Sequence, residues 1–262
     1  MASCVVMKRG PNLGMSINGL VFKIKRGETP GYRRIRSVLK FVISPRAPRI
    51  PRFLTSPLRI MYELHFAIIT FIRMILTVFY RHPLFQARCA SVGRNLSLDG
   101  LPYVEGNAEI HIGNDVYLGG RITIMSARSL QRPRLVLKDR VGLGWRVSIT
   151  VNSEVVIEED VLVSFDCRIS DSDGHPREAD LRAQNAPVDP RDIRPVRICR
   201  HAWIGNGSHI MKGVTIGEGA VIGANSVVIS DIPPYCLAMG NPAEVYFRNF
   251  GRPSKKPAAP AT

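Results

Sequence analysis

Residues 198–228 read ICRHAWIGNGSHIMKGVTIGEGAVIGANSVV. Ile198, Ile204, Ile210, Ile216, Ile222 and Val228 recur at a spacing of six, and Gly205, Gly217 and Gly223 each follow one of them. Six is a multiple of the strand period of two and a poor match to the 3.6-residue helical turn. An amphipathic helix needs apolar residues at mixed spacings of three and four, which these positions lack. A short strand plus a tight turn fills one such interval, and three intervals close a triangular coil of eighteen. Successive coils then stack through backbone hydrogen bonds at about 4.8 Å. The aliphatic side chains point inward and stack in columns, and glycine beside them relieves crowding at the turns. The spacing therefore predicts a mainly β protein built as a parallel β-helix, without giving its handedness.

The same beat runs upstream in fragments. Val92, Leu98, Val104 and Ile110 are six apart, and the phase then slips by two to Ile112, Leu118 and Ile124. It resumes at Leu137, Leu143 and Ile149, and again at Ile157, Val163 and Ile169. From Ile157 to Ile198 the chain advances by more than two coils' worth where a single coil is expected. The extra residues follow Ile169 and read SDSDGHPREADLRAQNAPVDPRDIRPVR. This stretch is polar and aperiodic, so it is expected to leave the core as a loop, the kind of segment that carries function.

The first third of the chain has a different character. The 262 residues carry a formal charge of +15; residues 1–95 hold 17 Lys/Arg against 2 Asp/Glu, and the remainder holds 19 of each. A neutral domain thus carries a basic N-terminal region suited to a polyanionic partner such as anionic lipid, or to solvent alone. Residues 1–56, rich in Arg, Pro and Gly, are expected to form a flexible tail. Residues 57–90 contain an apolar helical segment, with Pro57 in its first turn. Arg59, Glu63, Thr70, Arg73 and Thr77 fall on one narrow polar stripe. The segment is long enough to span a bilayer, but its charges fit a helix lying on a membrane surface better. The alternative is a helix packed on the main domain or on a neighbouring subunit. Five scattered cysteines without a C-x-x-C pair fit a reducing compartment and no structural metal. No uninterrupted apolar stretch of the secretory-signal type stands at the N-terminus.

One further stretch, HAWIGNGSHIMKGVTIGEGAVIGANSVVISDIPPYCLAMGNPAEVYF (201–247), is preceded by ISDSDGHP (169–176). Together they resemble the left-handed β-helix, hexapeptide-repeat acyltransferases, and most closely the maltose, galactoside and capsule-type sugar O-acetyltransferases. The resemblance covers Val92 to Phe247 and leaves residues 1–90 outside. It implies an N-terminal arm, a β-helix domain over 91–247 and a disordered tail over 248–262. It also implies an acetyl-CoA-dependent O-acetyltransferase acting on a sugar hydroxyl of a surface polysaccharide or its lipid-linked precursor.

Acetyl transfer from a thioester to a hydroxyl needs a base that titrates near neutrality, and no acyl-enzyme is required. His175, between Gly174 and Pro176 in the insertion, matches the family's catalytic histidine. Asp171 and Asp173 are candidates to orient it or to meet the acceptor. Trp145 stands where relatives often carry an Asn that assists the oxyanion or acceptor, which leaves that donor open. By the same resemblance Trp203 walls the site beside the thiol. Gly205, Gly223, Ala224 and Ser226 floor the pantetheine groove, and Asn241 and Pro242 lie near the adenylate end of CoA. For Gly217 and Gly223, coil turning is a sufficient alternative. Lys212, Lys255 and Lys256 are candidate phosphate contacts.

The family closes its grooves by trimerising, so a homotrimer with a site shared between subunits is implied. The expected location is cytoplasmic, peripheral at the inner face of the membrane. No nucleic acid and no metal is expected. His201 and His209 read as surface residues. Rival readings are N-acetylation of an amino sugar or serine, a β-helix metalloenzyme needing three converging histidines, and a trimeric scaffold with a basic arm.

Overall fold

The computed structural model describes residues 17–43, 50–127 and 132–252. The start of the basic tail, the end of the C-terminal tail, and Lys255 and Lys256 lie outside them. The chain divides into two compact units, Met1–Phe66 and Ala67–Thr262, with the division inside a long helix.

The second unit is built from three parallel sheets visited in rotation. The first sheet takes Ser91–Val92, Glu109–Ile112, Arg134–Leu137, Glu154–Ile157, Val196–Ile198 and Thr215–Ile216. The second takes Ser97–Leu98, Tyr117–Leu118, Gly142–Leu143, Leu162–Val163, Trp203–Ile204 and Val221–Ile222. The third takes Tyr103–Glu105, Thr123–Met125, Ser148–Thr150, Arg168–Ser170, His209–Ile210 and Val227–Val228. Each strand pairs in parallel with the strand three later, which is the topology of a parallel β-helix.

The positions spaced by six form the core columns. In the second sheet, Leu98, Leu118, Leu143, Val163, Ile204, Ile222 and Ala238 stand in register, one per coil. In the third, Val104, Ile124, Ile149, Ile169, Ile210 and Val228 do the same. All but half-buried Val104 are buried. Alternate residues point outward because a strand's side chains alternate sides.

A uniform coil of eighteen is not what the lower part of the chain builds. The steps Leu98–Leu118 and Leu143–Val163 are each two positions longer than the step Ile204–Ile222, which alone in this column has the expected length. The cause lies in the first sheet, whose lower strands are longer and turn two alternate buried residues into the core: Ile110 with Ile112, Leu135 with Leu137, Val155 with Ile157. The phase slip at Ile110–Ile112 is this second inward residue, and it recurs coil after coil. The top is closed by an antiparallel hairpin, Cys236–Gly240 with Ala243–Arg248, on the second sheet. Such a cap protects the open end of a solenoid.

Where a flexible tail was expected over residues 1–56, the described residues include two helices. Helix α1 spans Ile17–Arg26 and α2 spans Pro30–Ile43, packed on one another. Composition hid the spacing: Tyr32, Ile35, Val38 and Leu39 recur at helical intervals between Arg33, Arg34, Arg36 and Lys40. Helix α3 runs Arg52–Leu76, so Pro57 lies inside it and not in its first turn. A π turn, Thr77–Arg81, and a last helix, α4 (His82–Arg88), continue it. No α3 side chain is buried, although residues 52–88 are long and apolar enough to cross a membrane.

Candidate functional site

Between the second and third sheets each coil turns through four residues, and the four positions form four columns along one corner. The first column is Gly119, Gly144, Ser164, Gly205 and Gly223. At Gly205 and Gly223 glycine is required by close approach. A Cβ on Gly205 would lie 2.6 Å from the Ile222 carbonyl oxygen, and one on Gly223 would lie 2.7 Å from the Met239 Cβ. Gly217, at another corner, is confined likewise, 2.4 Å from the Pro234 nitrogen. This close approach supports coil turning as a role for Gly217 and Gly223, and Gly205 is confined in the same way.

The second column faces outward and changes character with height. From the bottom it reads Gly100, Gly120, Trp145, Phe165, Asn206, Ala224 and Gly240. Trp145 leans down over Gly120, where a Cβ would meet its ring at 2.9 Å, and Phe165 leans over Gly144 at 2.6 Å. Above Phe165 the ridge is small: Asn206, exposed Ala224, then Gly240, Asn241 and Pro242 in the hairpin turn. Gly223, Ala224, Asn241 and Pro242 are thus brought together at one open edge, with Gly205 buried behind it. Trp203 projects from the adjoining second sheet, half-exposed, with its Nε1 donating to the Ser164 hydroxyl at 3.0 Å.

Ser226 belongs to the inward column and is completely buried. Its hydroxyl donates to the Gly223 carbonyl at 2.7 Å and accepts from the Gly240 N–H at 3.1 Å. Ser208 just beneath it is buried as well and donates to the same Gly223 carbonyl at 2.9 Å. This corrects the expectation for Ser226: it ties the last coil to the hairpin, with no surface left for a ligand.

The insertion leaves from the opposite edge of the third sheet, after Ser170, and returns at Val196. Its base is tightly held. The buried Asp171 carboxylate accepts the N–H groups of Asn152 and Ser153 at 2.6–3.0 Å. Burial pushes this carboxyl above its usual range, against the opposing pull of those donors. The Arg194 N–H donates to the Asp171 carbonyl at 2.9 Å and closes the loop's mouth. Asp173 pairs with Lys212 at 2.5 Å, and Lys212 is 6% exposed. The Asp171 carboxylate is therefore buried on backbone donors, the buried Lys212 ammonium is committed to Asp173, and Asp173 itself stays exposed. Burial of the lysine forces this outcome, since an unpaired buried ammonium is costly.

His175 itself is exposed, between Gly174, whose φ is +80°, and buried Pro176. It stands across the third sheet from the small-residue edge, so one chain does not bring His175 together with Ala224 and Trp203. Between them lies a groove of about 650 Å³ lined by Ser148, Thr150, Arg168, Ser170 and His209. His209 is thus part of a surface groove, while His201 sits on another corner 3.8 Å from Asp160. Among the described residues no group of three or more His, Cys, Asp or Glu is placed to hold a metal ion.

Trp145 lies low on the small-residue corner, away from the His175 loop. Its Nε1 donates to Asp99 Oδ2 at 2.9 Å, and the Tyr117 hydroxyl donates to the same oxygen at 2.6 Å. Burial and this carboxylate together push the Tyr117 phenol up, which keeps it a donor. Sequence reading missed Asp99, Tyr117 and Phe165. The available signal was an aromatic after the small residue that ends the second-sheet strand, at Trp145 and Phe165, where other coils carry Gly, Asn or Ala.

Residues 195–230 match the family described as bacterial transferase hexapeptide (six repeats). A Staphylococcus aureus protein named "Putative acetyltransferase SACOL2570" is 55% identical over 51 residues, 20% of this chain and 26% of that one. The Schizosaccharomyces pombe protein named "Putative acetyltransferase C18B11.09c" is 48% identical over 65 residues, 25% of this chain and 30% of that one. The matched stretch therefore spans less than a third of either relative. A mutant of AntD, an N-acyltransferase from Bacillus cereus solved in complex with dTDP and Coenzyme A, has a similar fold. Its TM-score is 0.53 at 18% identity, covering 66% of this chain and 91% of that one.

Proposed function

From the match of residues 195–230 to the bacterial transferase hexapeptide family, we propose that the protein is an acetyl-CoA-dependent O-acetyltransferase acting on a sugar hydroxyl of a surface polysaccharide or its lipid-linked precursor. The observation that carries this reading is the open edge of Asn206, Ala224, Gly240, Asn241 and Pro242 within and just beyond the matched segment. A thin pantetheine arm needs such a floor, flanked by backbone groups and one broad wall, here Trp203. The coil takes the left-handed sense of the acyltransferases it resembles.

In this reading His175 is the general base. It removes the sugar hydroxyl proton as the oxygen attacks the thioester carbon, and the thiolate of CoA leaves. The separation of His175 from the small-residue edge across the third sheet supports a site shared between neighbouring subunits. The exposed apolar side chains of the second sheet, Tyr117, Leu162 and Trp203, support the same assembly, a homotrimer in which one subunit's His175 faces its neighbour's CoA. Replacing His175 by Ala is expected to slow thiol release from acetyl-CoA, with a glycan acceptor present, by about 10²–10⁴-fold. Turnover at the wild-type rate removes His175 as base. An acceptor screen pairing hydroxyl and amino sugars separates O- from N-transfer.

The N-terminal helices are the membrane-facing part in this reading, at the cytoplasmic face. Leu39, Phe53, Ile60, Phe71 and Phe79 are exposed on helices that also carry most of the chain's excess positive charge. Apolar faces with basic flanks are the chemistry of anionic bilayer surfaces. The full chain is expected to float with vesicles containing anionic lipid at low salt and less with neutral ones; equal recovery with both sinks the electrostatic half of the proposal.

A further inference from the structure

Within the second unit, the far half of the long helix and the lowest coils line an open pocket of about 530 Å³ whose lining includes Thr70, Arg73, Thr77, Arg81, Asp99 and Trp145. The far end of the helix's polar stripe points here, which accounts for its being polar. Neither Arg73 nor Arg81 meets a carboxylate at ion-pair distance among the described residues. Arg81 Nη1 donates to the Thr77 hydroxyl at 3.1 Å and to the Asp99 carbonyl at 3.2 Å, which holds its guanidinium against one wall. The π turn Thr77–Arg81 widens the helix at this point, a departure found often at functional sites.

The opposite wall is aromatic and fixed. Asp99 Oδ2 accepts from both the Trp145 indole and the Tyr117 hydroxyl, and the Trp145 ring rests on Gly120, where no Cβ intervenes. A held indole beside two guanidinium groups without acidic partners is the chemistry of a phosphorylated sugar. The apolar face of a pyranose stacks on the ring, and phosphate oxygens take the Arg donors in charge-assisted hydrogen bonds.

We infer that this pocket binds the phosphate-bearing sugar of the acceptor, phosphate on Arg73 and Arg81 and sugar ring on Trp145. The inference rests on the acyl-transfer reading above and deepens it. Trp145 shares its corner with the small-residue edge. Backbone N–H groups of Asp166, Gly207 and Asn225 reach down to Trp145, Phe165 and Asn206 in turn, so Ala224 stands three coils, about 14 Å, higher. An acceptor held at the bottom of this corner extends its glycan toward a donor bound at the top.

The chain has two tryptophans, so Trp203→Phe in the full-length protein leaves Trp145 as the sole fluorescent reporter. Glucose, galactose and N-acetylglucosamine 1-phosphates are titrated against the corresponding free sugars and inorganic phosphate. At least one sugar phosphate is expected to quench Trp145 and to bind about tenfold or more tighter than either of its parts. Arg73→Ala, on an exposed helix surface, is expected to weaken that binding about tenfold, and Arg81→Ala to do the same. Sugar phosphates that bind no better than free sugars, or an Arg73→Ala protein that binds them as well as its parent, overturn the inference. CoA binding, followed by calorimetry on Arg73→Ala and Arg81→Ala proteins that keep Trp203, is expected to match that of the wild-type chain; its absence from the wild-type chain as well counts against the acyl-transfer reading and not against this pocket. A polyprenyl diphosphate sugar in detergent micelles that binds tighter than the soluble sugar phosphate identifies a lipid-linked acceptor, and equal affinity identifies a soluble one.

Discussion

The upper and lower coils share one inward column and present opposite surfaces at the same corner. Below, Trp145 and Phe165 lie down on Gly120 and Gly144, and Arg146 pairs with Asp166 at 2.5 and 2.6 Å. Above, the ridge shrinks to Asn206, Ala224 and Gly240, and the inward corner residues change from Val147 and Cys167 to Ser208 and Ser226. A stack of coils tolerates this because each inward position needs only to fill its column, while the outward position is free to vary. The difference teaches that the repeat fixes the frame and the outward corner residue decides what the surface offers. The lower coils offer an aromatic and cationic pocket, the upper coils a narrow small-residue edge.

If the two tiers share one core, truncating a column residue costs the same in each. Ile204→Ala above and Leu118→Ala below, both fully buried, are each expected to lose about 2–5 kcal/mol in urea denaturation. A large inequality breaks the view of a single continuous column. Smaller is Gly205→Ala, expected at about 1–3 kcal/mol because its Cβ meets backbone of the next coil. Gly142→Ala, whose Cβ meets only the Leu162 side chain at 3.2 Å, is expected to be milder, and thermal melts of the pair measure the contrast.

The surface difference is sharpened by filling the upper edge. Ala224→Trp places on the upper ridge the side chain the lower ridge already carries at Trp145. It is expected to weaken CoA binding about tenfold, roughly 1.4 kcal/mol, with an unchanged melting temperature. Phe165→Ala in the lower tier is expected to leave CoA affinity intact; calorimetry on both decides whether the donor site is confined to the upper coils.

The smallest effect concerns the loop that interrupts the two tiers. The Asp171 carboxyl is raised by burial, so its contribution to stability is complete below the unfolded value near 4 and fades as pH climbs through the folded value. Asp171→Asn does not titrate there. Its deficit relative to wild type is therefore expected to shrink as pH rises from about 4 toward 7, and a deficit that grows over that range shows that the backbone donors outweigh burial.

Much of the frame was legible in the sequence. The spacing of six marked Leu118, Leu143, Ile204 and Ile222 as inward residues, and the break after Ile169 marked the loop that carries His175. The coil length was legible only in part. The slip at Ile110–Ile112 was visible, but its cause, two inward residues in one strand of the first sheet, is a matter of how wide that face is. The α1–α2 hairpin was hidden by an Arg, Pro and Gly composition whose apolar residues nevertheless keep helical spacing.

The sequence by itself determined the coil, its inward columns and the position of the irregular loop, because side-chain alternation in a strand is local and survives any choice of neighbours. Only the tertiary structure decided what the polar residues do. Asp171 caps two backbone amides, Asp173 neutralises Lys212, Ser226 stitches the last coil to the hairpin, and Trp145 joins Asp99 and Tyr117 at the far edge from His175. Each of these roles is set by a partner some 14 to 46 residues away in sequence. Coil stacking alone brings such partners within hydrogen-bonding distance, and no local pattern encodes which of them will meet.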